Sequence, residues 1–274
     1  MTKPQLINSD APRFSFFRRL LDLFAPRLCC ICGQRLTPTE EEICISCNLG
    51  LPRTGYAASP LDNLLSRRFW GRIPIERCAS LYFYKVHSHT KRPVLRLKYM
   101  DHPETAIFFG KMMGREFGEE GFFEGMDMMI PIPLAKNRMR ERGYNQSEMI
   151  ARGIAEVTGL RVETEVAVRS TFKGSQTRLG RMERFDNVEG LFSVRHPERI
   201  AGCHLLIIDD VITTGATTST LARELLKAGA KTISIASVAC TRHFWFSCRS
   251  PWLFYKNSVI LSSQSQPATQ RVVT

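Results

Sequence analysis

The chain has 274 residues, of which 43% are hydrophobic and 23% charged, and this predicts one substantial core with a small accessory module. No stretch of about 18 uncharged apolar residues occurs, and the apolar segment near the N-terminus carries charges that a secretory signal would not tolerate, so we expect no membrane span and a cytoplasmic location. The formal net charge of +12 favours phosphate-bearing partners, either a polyphosphate substrate or a nucleic acid.

The first predicted element is a short amphipathic helix over 14–24, at the end of an N-terminal segment that spans 1–24. Its apolar face contains Phe14, Phe17, Leu20, Leu21 and Phe24. We expect this face to pack on the main domain, with contact to a membrane surface as the alternative.

Two cysteine pairs define the next predicted module, residues 25–54. Cys29-x-x-Cys32 and Cys44-x-x-Cys47 can place four thiolates tetrahedrally around Zn²⁺, and metal binding then compensates for a core too small to be stable alone. A disulfide is disfavoured because the cytoplasm keeps thiols reduced. Cys30 can replace Cys29 as a ligand. We therefore predict a structural zinc module.

The main domain is predicted to span 75–242, after a connector over 51–75 that is rich in Pro, Gly and Arg. Strands are predicted over 78–84, 127–132, 205–208 and 232–239, and helices over 103–119, 145–158 and 216–228. This alternation predicts an α/β fold in which helices cover both faces of a parallel sheet. Cys78, Cys203 and Cys240 lie in apolar, strand-like surroundings and are predicted core residues.

The most informative segment of the main domain is an apolar strand that is predicted to end at Asp209 and Asp210. The carboxyl ends of strands are where open α/β sheets bind ligands. The loop that follows consists of Thr213, Thr214, Gly215, Ala216 and Thr217. It leads into a helix, and the free N–H groups at a helix N-terminus bind anions.

Two other interpretations of this segment are weaker. A magnesium-binding aspartate pair of a nucleoside triphosphatase would need a Gly-x-x-x-x-Gly-Lys-[Ser/Thr] loop, which the chain lacks. A simple helix cap needs only one residue of this kind, not a run of threonines.

The segment resembles the phosphoribosyl-pyrophosphate (PRPP) motif of type I phosphoribosyltransferases. The resemblance implies that Asp209 and Asp210 hold the ribose hydroxyls, that the threonine loop wraps the 5-phosphate, and that Mg²⁺ binds together with PRPP. The fold it implies is a type I phosphoribosyltransferase-like parallel sheet flanked by helices, preceded here by the small four-cysteine zinc module.

Three further segments extend the resemblance. They are Leu95-Arg-Leu-Lys98-Tyr99, then Pro131-Ile-Pro133-Leu134 before Arg138-x-x-x-Arg142-Gly143-Tyr144-Asn145-Gln146, and Ser175-Gln176-Thr177-x-Leu179 before Arg184-x-x-Asn187. Together with the cysteine pairs they resemble the ComF (competence protein F) family over roughly residues 25–241. This resemblance implies a role in natural transformation, the uptake of DNA by bacteria. The implied partners are a phosphoribosyl ligand, single-stranded DNA, and a competence helicase or DNA-processing proteins.

Basic residues of these segments are candidate phosphate contacts. Arg138 and Arg142 are suited to pyrophosphate because a guanidinium offers a planar donor fork, whereas a solvated loop before a helix is the alternative. Lys98 is either a further phosphate contact or an exposed residue at a helix end. The predicted flexible lid of the site contains Ser175, Gln176, Thr177 and Arg184. Gln176 can equally bind a nucleic-acid backbone.

Two functions remain open from the sequence. The first is a phosphoribosyltransferase, a glycosyltransferase whose acceptor is unknown because no residue signals selection of a base. The second is a non-catalytic adaptor for single-stranded DNA that uses the phosphate site for binding or regulation. The aromatic and then Ser/Gln-rich extension, 243–274, has no assigned role and is predicted to be partly disordered.

Overall fold

The computed structural model describes residues 26–85, 88–99, 102–169 and 190–242. The predicted N-terminal helix, the predicted lid over 175–184 and the C-terminal extension lie outside the described residues. Within the described part, no helix is long and apolar enough to cross a membrane.

All four predicted strands and all three predicted helices of the main domain occur in this part, together with shorter elements that were not predicted. In chain order they are α1 Ile45–Gly50, β1 Cys78–Tyr84, α2 Lys91–Tyr99, α3 Pro103–Glu119, β2 Met128–Pro131, α4 Lys136–Arg142, α5 Gln146–Thr158, β3 Arg161–Val162, β4 Ala167–Arg169, β5 Phe192–Val194, β6 His204–Ile212, α6 Ala216–Lys227 and β7 Thr232–Thr241. Short 3-10 helices lie at Ser66–Arg68 and Pro197–Arg199.

A five-stranded sheet in the order β1-β7-β6-β2-β3 forms the centre of the fold, and all its strand pairs are parallel. Strand β6 is buried on both faces because its side chains enter two different cores. Leu206 and Ile208 pack with α3 and α5, while Leu205 and Ile207 pack on the opposite face with α6. This confirms the predicted α/β class, with helices on both faces of a parallel sheet.

Helices α3 and α5 approach each other at a pair of glycines. A Cβ atom on Gly110 would lie 2.2 Å from the carbonyl oxygen of Ile150, and one on Gly153 would lie 2.1 Å from that of Ile107. Only glycine allows the two backbones to come this close. The contact fixes α5, and therefore the residues at its N-terminus, against the sheet.

The predicted connector over 51–75 is packed into the fold. Leu65 and Phe69 are fully buried, and Asn63 donates a hydrogen bond from Nδ2 to the carbonyl of Cys78 at 2.9 Å. The guanidinium of Arg68 is also buried. The apolar residues of this segment are diluted among Pro, Gly and Arg, so composition alone suggested a linker.

The three predicted core cysteines differ in burial. Cys78 and Cys240 are fully buried on neighbouring strands, as predicted. Cys203 is partly exposed and packs against the core from its edge, so its prediction is confirmed only in part. It lies one residue before β6, where the chain still follows the turn from Gly202.

Candidate functional site

The two aspartates lie within β6, not after it. The strand runs to Ile212, because Val211 and Ile212 continue the parallel ladder with β7; Asp209 itself is opposite Ser237. The predicted strand end at residue 208 was therefore four residues too early. Since consecutive side chains of a strand point to opposite faces, Asp209 and Asp210 have different neighbours.

Asp210 is buried and joined to two helices. Its Oδ2 atom lies 3.1 Å from Nζ of Lys98, at the end of α2, and accepts a hydrogen bond of 3.2 Å from Nε2 of Gln146, at the start of α5. Its Oδ1 atom accepts from the N–H of Val211 at 2.6 Å. Lys98 therefore forms an ion pair with a carboxylate, and the alternative of a simply exposed lysine was wrong.

The segment before α5 holds Gln146 in place. Tyr144 donates from its hydroxyl to the carbonyl of Leu97 at 2.8 Å, and Asn145 donates from Nδ2 to the carbonyl of Ile132 at 3.1 Å. Asn145 also caps α5 by accepting from the N–H of Ser147. The sequence motif contained Gln146, but only the fold shows that it reaches Asp210.

Asp209 faces α6. Its Oδ1 atom accepts from the N–H of Asp210 at 2.8 Å, and its Oδ2 atom accepts from the hydroxyl of Thr218 at 3.5 Å. Burial, followed by the charge of Asp210, raises the pKa of Asp209 to about 8. Asp209 is therefore mainly protonated near neutral pH.

The threonine loop joins β6 to α6 as predicted. Gly215 is the N-cap of α6 and has a φ of 76°, which favours glycine. A Cβ atom at this position would lie 2.8 Å from Cε1 of Phe69. Thr213 and Thr214 are exposed, and Ala216 and Thr217 are half-buried. The exposed hydroxyls and the N-terminus of α6 thus lie together at the end of β6.

Two arginines of the connector hold this loop. Arg68 donates from Nη1 to the carbonyl of Thr213 and from Nη2 to the carbonyl of Thr241, so it joins the ends of β6 and β7. Arg72 donates from Nη1 to the carbonyl of Thr214 at 3.1 Å. Sequence analysis missed both residues because nothing in the local pattern places the connector beside a loop 145 residues away.

The basic segment after β2 forms a short helix, α4, where a loop was predicted. Arg138 is exposed and Arg142 half-buried on it, and Gly143 ends the helix with a φ of 75°. A further arginine, Arg169, comes from β4, and its Cζ atom lies 5.6 Å from the ring centroid of Phe192. Burial and then the charge of Arg138 lower the pKa of Arg169, while Asp209 raises it. Arg169 therefore lies within electrostatic range of both.

The four predicted cysteines form a second site. The Sγ atoms of Cys29, Cys32, Cys44 and Cys47 all lie within 4.8 Å of one another. N–H groups point at the sulfurs: Cys44 donates to Cys29 at 3.4 Å and Cys47 to Cys44 at 3.5 Å. Although burial opposes ionisation, backbone hydrogen bonds from Cys32, Cys44 and Ile31 lower the pKa of Cys29 to about 7. Four thiols so arranged can hold a metal ion.

Cys30 lies outside this cluster. Burial, followed by the charges of Cys29 and Glu42, raises its pKa to about 12. The set of Sγ atoms that lie close together includes that of Cys29 and not that of Cys30. The geometry thus selects Cys29 over the alternative Cys30 as the first member of the set.

Fold and sites together define an α/β protein with helices on both faces of a parallel sheet and an N-terminal four-cysteine cluster. No family model matches the chain. It is 26% identical over 243 residues to DNA utilization protein YhgH of Salmonella typhi, covering 83% of this chain and 99% of that protein. It is also 26% identical over 229 residues to Competence protein ComFC of Bacillus subtilis, covering 82% and 88%. These relatives confirm the predicted resemblance to the ComF family.

Solved structures show more distant similarity. A glutamine PRPP amidotransferase from B. subtilis, complexed with ADP and GMP, has a TM-score of 0.37 and 19% identity over 52% of this chain and 30% of its own. A purine phosphoribosyltransferase from Pyrococcus horikoshii has a TM-score of 0.30 and 19% identity over 53% and 80%.

Proposed function

We propose that the protein binds PRPP with Mg²⁺ at the carboxyl end of β6 and acts as a phosphoribosyltransferase-like protein in the use of DNA taken up by the cell. One observation carries the proposal: Asp209 and Asp210 lie near the carboxyl end of a central parallel strand, and a threonine-glycine loop joins this strand to the 12-residue helix α6. The names of the relatives, which refer to DNA utilization and competence, support the biological role, and the proposed location is the cytoplasm.

Each group of the site has a role in this proposal. The loop from Thr213 to Thr217 holds the 5-phosphate with hydroxyls and with the N–H groups of α6. The aspartates bind the ribose hydroxyls. The pyrophosphate is bound by Arg138, Arg142 and Lys98, with Arg169 close by. The proposed lid, which closes over these groups, contains Ser175, Gln176, Thr177 and Arg184.

The carboxylates fit Mg²⁺, which prefers hard oxygen ligands and usually keeps part of its hydration shell. When bound, the ion would neutralise charge on the pyrophosphate. The chain itself contributes orientation and electrostatics: the arginines stabilise the leaving pyrophosphate, and the carboxylates stabilise positive charge that develops on the ribose. Since Lys98 already pairs with Oδ2 of Asp210, a ribose hydroxyl has to compete with Lys98 for this atom.

Calorimetric titration with PRPP tests the proposal, with and without Mg²⁺, and with ribose 5-phosphate as the control ligand. We expect binding that strengthens with Mg²⁺ and is lost in the double variant Asp209→Asn, Asp210→Asn. Asp62→Asn is the matched control, because it also removes a carboxylate but from an exposed ion pair with Arg67. Absence of PRPP binding to the unaltered protein would overturn the proposal.

The proposed metal of the cysteine cluster is structural Zn²⁺. Four sulfur ligands favour zinc over hard cations, and a segment of this size gains folding energy from the metal. A metal assay of the purified protein is expected to find one zinc per chain. A protein without zinc would contradict this assignment.

A non-catalytic adaptor for single-stranded DNA is the second candidate, and one surface favours it. Trp70 is 54% exposed, and the Cζ atom of Arg67 lies 5.6 Å from the centroid of its ring. Its neighbours Phe69 and Arg72 contact the threonine loop. Exposed aromatic rings among basic residues are typical of surfaces on which single-stranded bases stack.

Titration with oligodeoxythymidine at several salt concentrations separates the two candidates. For the adaptor, we expect Trp70→Ala to weaken DNA binding about tenfold, since stacking contributes roughly 1–3 kcal/mol per base. Leu64→Ala is the control, because Leu64 is similarly exposed at 57% but offers no ring. The double aspartate variant should bind DNA unchanged or more tightly, since it loses negative charge. Weaker DNA binding with intact PRPP binding would show that the site is assigned wrongly.

A further inference from the structure

Helix α2 contacts both sites described above. Near its N-terminus, Arg92 donates from Nη1 to the carbonyl of Ile31 at 2.6 Å. Ile31 lies between Cys29 and Cys32, so this hydrogen bond ends inside the first cysteine pair. At the other end of the helix, Lys98 pairs with Asp210. One short element therefore connects the cysteine cluster with the carboxylates.

A second contact joins α2 to the cluster. Arg96 lies one turn after Arg92 and so on the same face of the helix. Its Nε atom lies 3.9 Å from Oε2 of Glu42 and donates to the hydroxyl of Thr105 at 3.3 Å, and Thr105 in turn donates to Glu42 at 2.7 Å. The carbonyl of Glu42 accepts from the N–H of Cys30. Arg92 therefore contacts backbone of the cluster directly, and Arg96 contacts the side chain of Glu42, whose backbone pairs with Cys30.

The helix is packed so that its two ends move together. It has nine residues and is about 14 Å long at 1.5 Å per residue. Leu97 is fully buried and Val94 nearly so, and the hydroxyl of Tyr144 donates to the carbonyl of Leu97. A packed helix of this length moves as a rigid body. A shift at Arg92 is therefore transmitted to Lys98.

We propose that Arg92 is a positioning residue: through α2 it makes the ion pair between Lys98 and Asp210 depend on the folded, metal-bound cysteine cluster. Loss of the metal frees the loop that carries Ile31, releases Arg92 and moves Lys98 relative to Asp210. Linkage requires the reverse effect as well, so breaking the ion pair loosens the cluster. Any effect of this coupling on PRPP binding rests on the proposed function, but the coupling between the two sites does not.

Zinc release from the full chain to an excess of chelator tests the coupling. We expect Lys98→Met to bind zinc about fivefold more weakly than the unaltered protein and therefore to lose it more readily to the chelator, although Lys98 does not contact the cluster. Asp210→Asn removes the same ion pair from the other side and should act similarly, which guards against misfolding of one variant. Arg92→Ala should also accelerate release, and Arg92→Lys, which keeps a donor, should restore part of the difference.

Non-additivity distinguishes positioning from a merely structural role. In the Arg92→Ala background, Lys98→Met should have little further effect, because the connection is already broken. Glu116→Gln is the matched control. It breaks the pair of 2.8 Å between Glu116 and Arg53, where Arg53 also donates to Asn48 of the cysteine module, but it leaves α2 untouched. The full effect of Lys98→Met should persist in that background.

Two outcomes would overturn the inference: unchanged zinc release in both Lys98→Met and Asp210→Asn, or equal effects of Lys98→Met with and without Arg92. PRPP with Mg²⁺ should alter the release rate of the unaltered protein only if it binds. A negative PRPP titration would therefore remove the proposed function, while the release rates of the variants would still decide the coupling.

Discussion

Asp209→Asn is expected to stabilise the folded protein as the pH rises, although it removes a site residue. Burial and the charge of Asp210 raise the pKa of Asp209 to about 8, whereas the unfolded chain has an ordinary carboxyl pKa of about 4. Between these values the folded state binds more protons than the unfolded state, so the stability of the unaltered protein falls as the pH rises. Asparagine has no proton to release and avoids this loss.

The magnitude follows from the size of the shift. Each pH unit within this window costs at most about 1.4 kcal/mol, which amounts to roughly 4 kcal/mol from pH 5 to pH 8. The partial exposure of Asp209 reduces this value, and we expect about 2 kcal/mol. The geometry tolerates the change, because asparagine can still accept from the N–H of Asp210 and can donate to the hydroxyl of Thr218.

Denaturant unfolding in zinc-containing buffer at about pH 5, 6, 7 and 8 measures the effect. The difference in the free energy of unfolding between variant and unaltered protein should increase with pH. Asp210→Asn is the control: its amide keeps only one acceptor oxygen for Lys98, Gln146 and the N–H of Val211, and it should be destabilised by roughly 1–3 kcal/mol. A difference for Asp209→Asn that does not change with pH would refute the reasoning about a buried carboxyl.

Three further changes test the framework of the site. Gly215→Ala should destabilise the protein by about 2 kcal/mol or more and abolish phosphate binding, because its Cβ would meet the ring of Phe69. The control is Gly202→Ala, which has a similar φ of 75° but open space around it and should cost only the backbone strain. Thermal unfolding of the two variants would show the difference. Arg68→Met should cost roughly 3 kcal/mol in denaturant unfolding, since carbonyls at the ends of β6 and β7 lose a buried donor; an unchanged stability would contradict this role. Cys47→Ser should release the metal and lower the unfolding temperature, and a zinc content equal to that of the unaltered protein would show that Cys47 is not a ligand.

The sequence was sufficient where one short segment contains the whole signal. The strand before Asp209, the loop to Thr217 and helix α6 follow each other without interruption, so their periodicity and turn residues identify them. The two cysteine pairs are likewise local. For the same reason the helices α3, α5 and α6 begin within a residue of their predicted starts.

The sequence was insufficient where a role depends on contacts between distant segments. Gln146 and Lys98 are polar residues at helix ends, and only packing of α2 and α5 against β6 brings both to Asp210. The end of β6 was predicted wrongly because two carboxylates after an apolar run indicate the end of a strand. In the fold, pairing with β7 extends the strand beyond them. From the sequence alone, Arg68 would be interpreted as a surface charge. Only the fold shows that it lies beneath the loop.

The packing of the connector also has a consequence for protein synthesis. Arg68 and Phe69 leave the ribosome before the strands on which they pack, and Thr213 follows Arg68 only 145 residues later. At 5–20 residues per second this interval lasts roughly 7–30 s. Arg68 also needs Thr241, 173 residues further along. A nascent chain therefore contains Arg68, which holds the threonine loop, long before that loop has been translated. The site can be completed only when β7 has been translated.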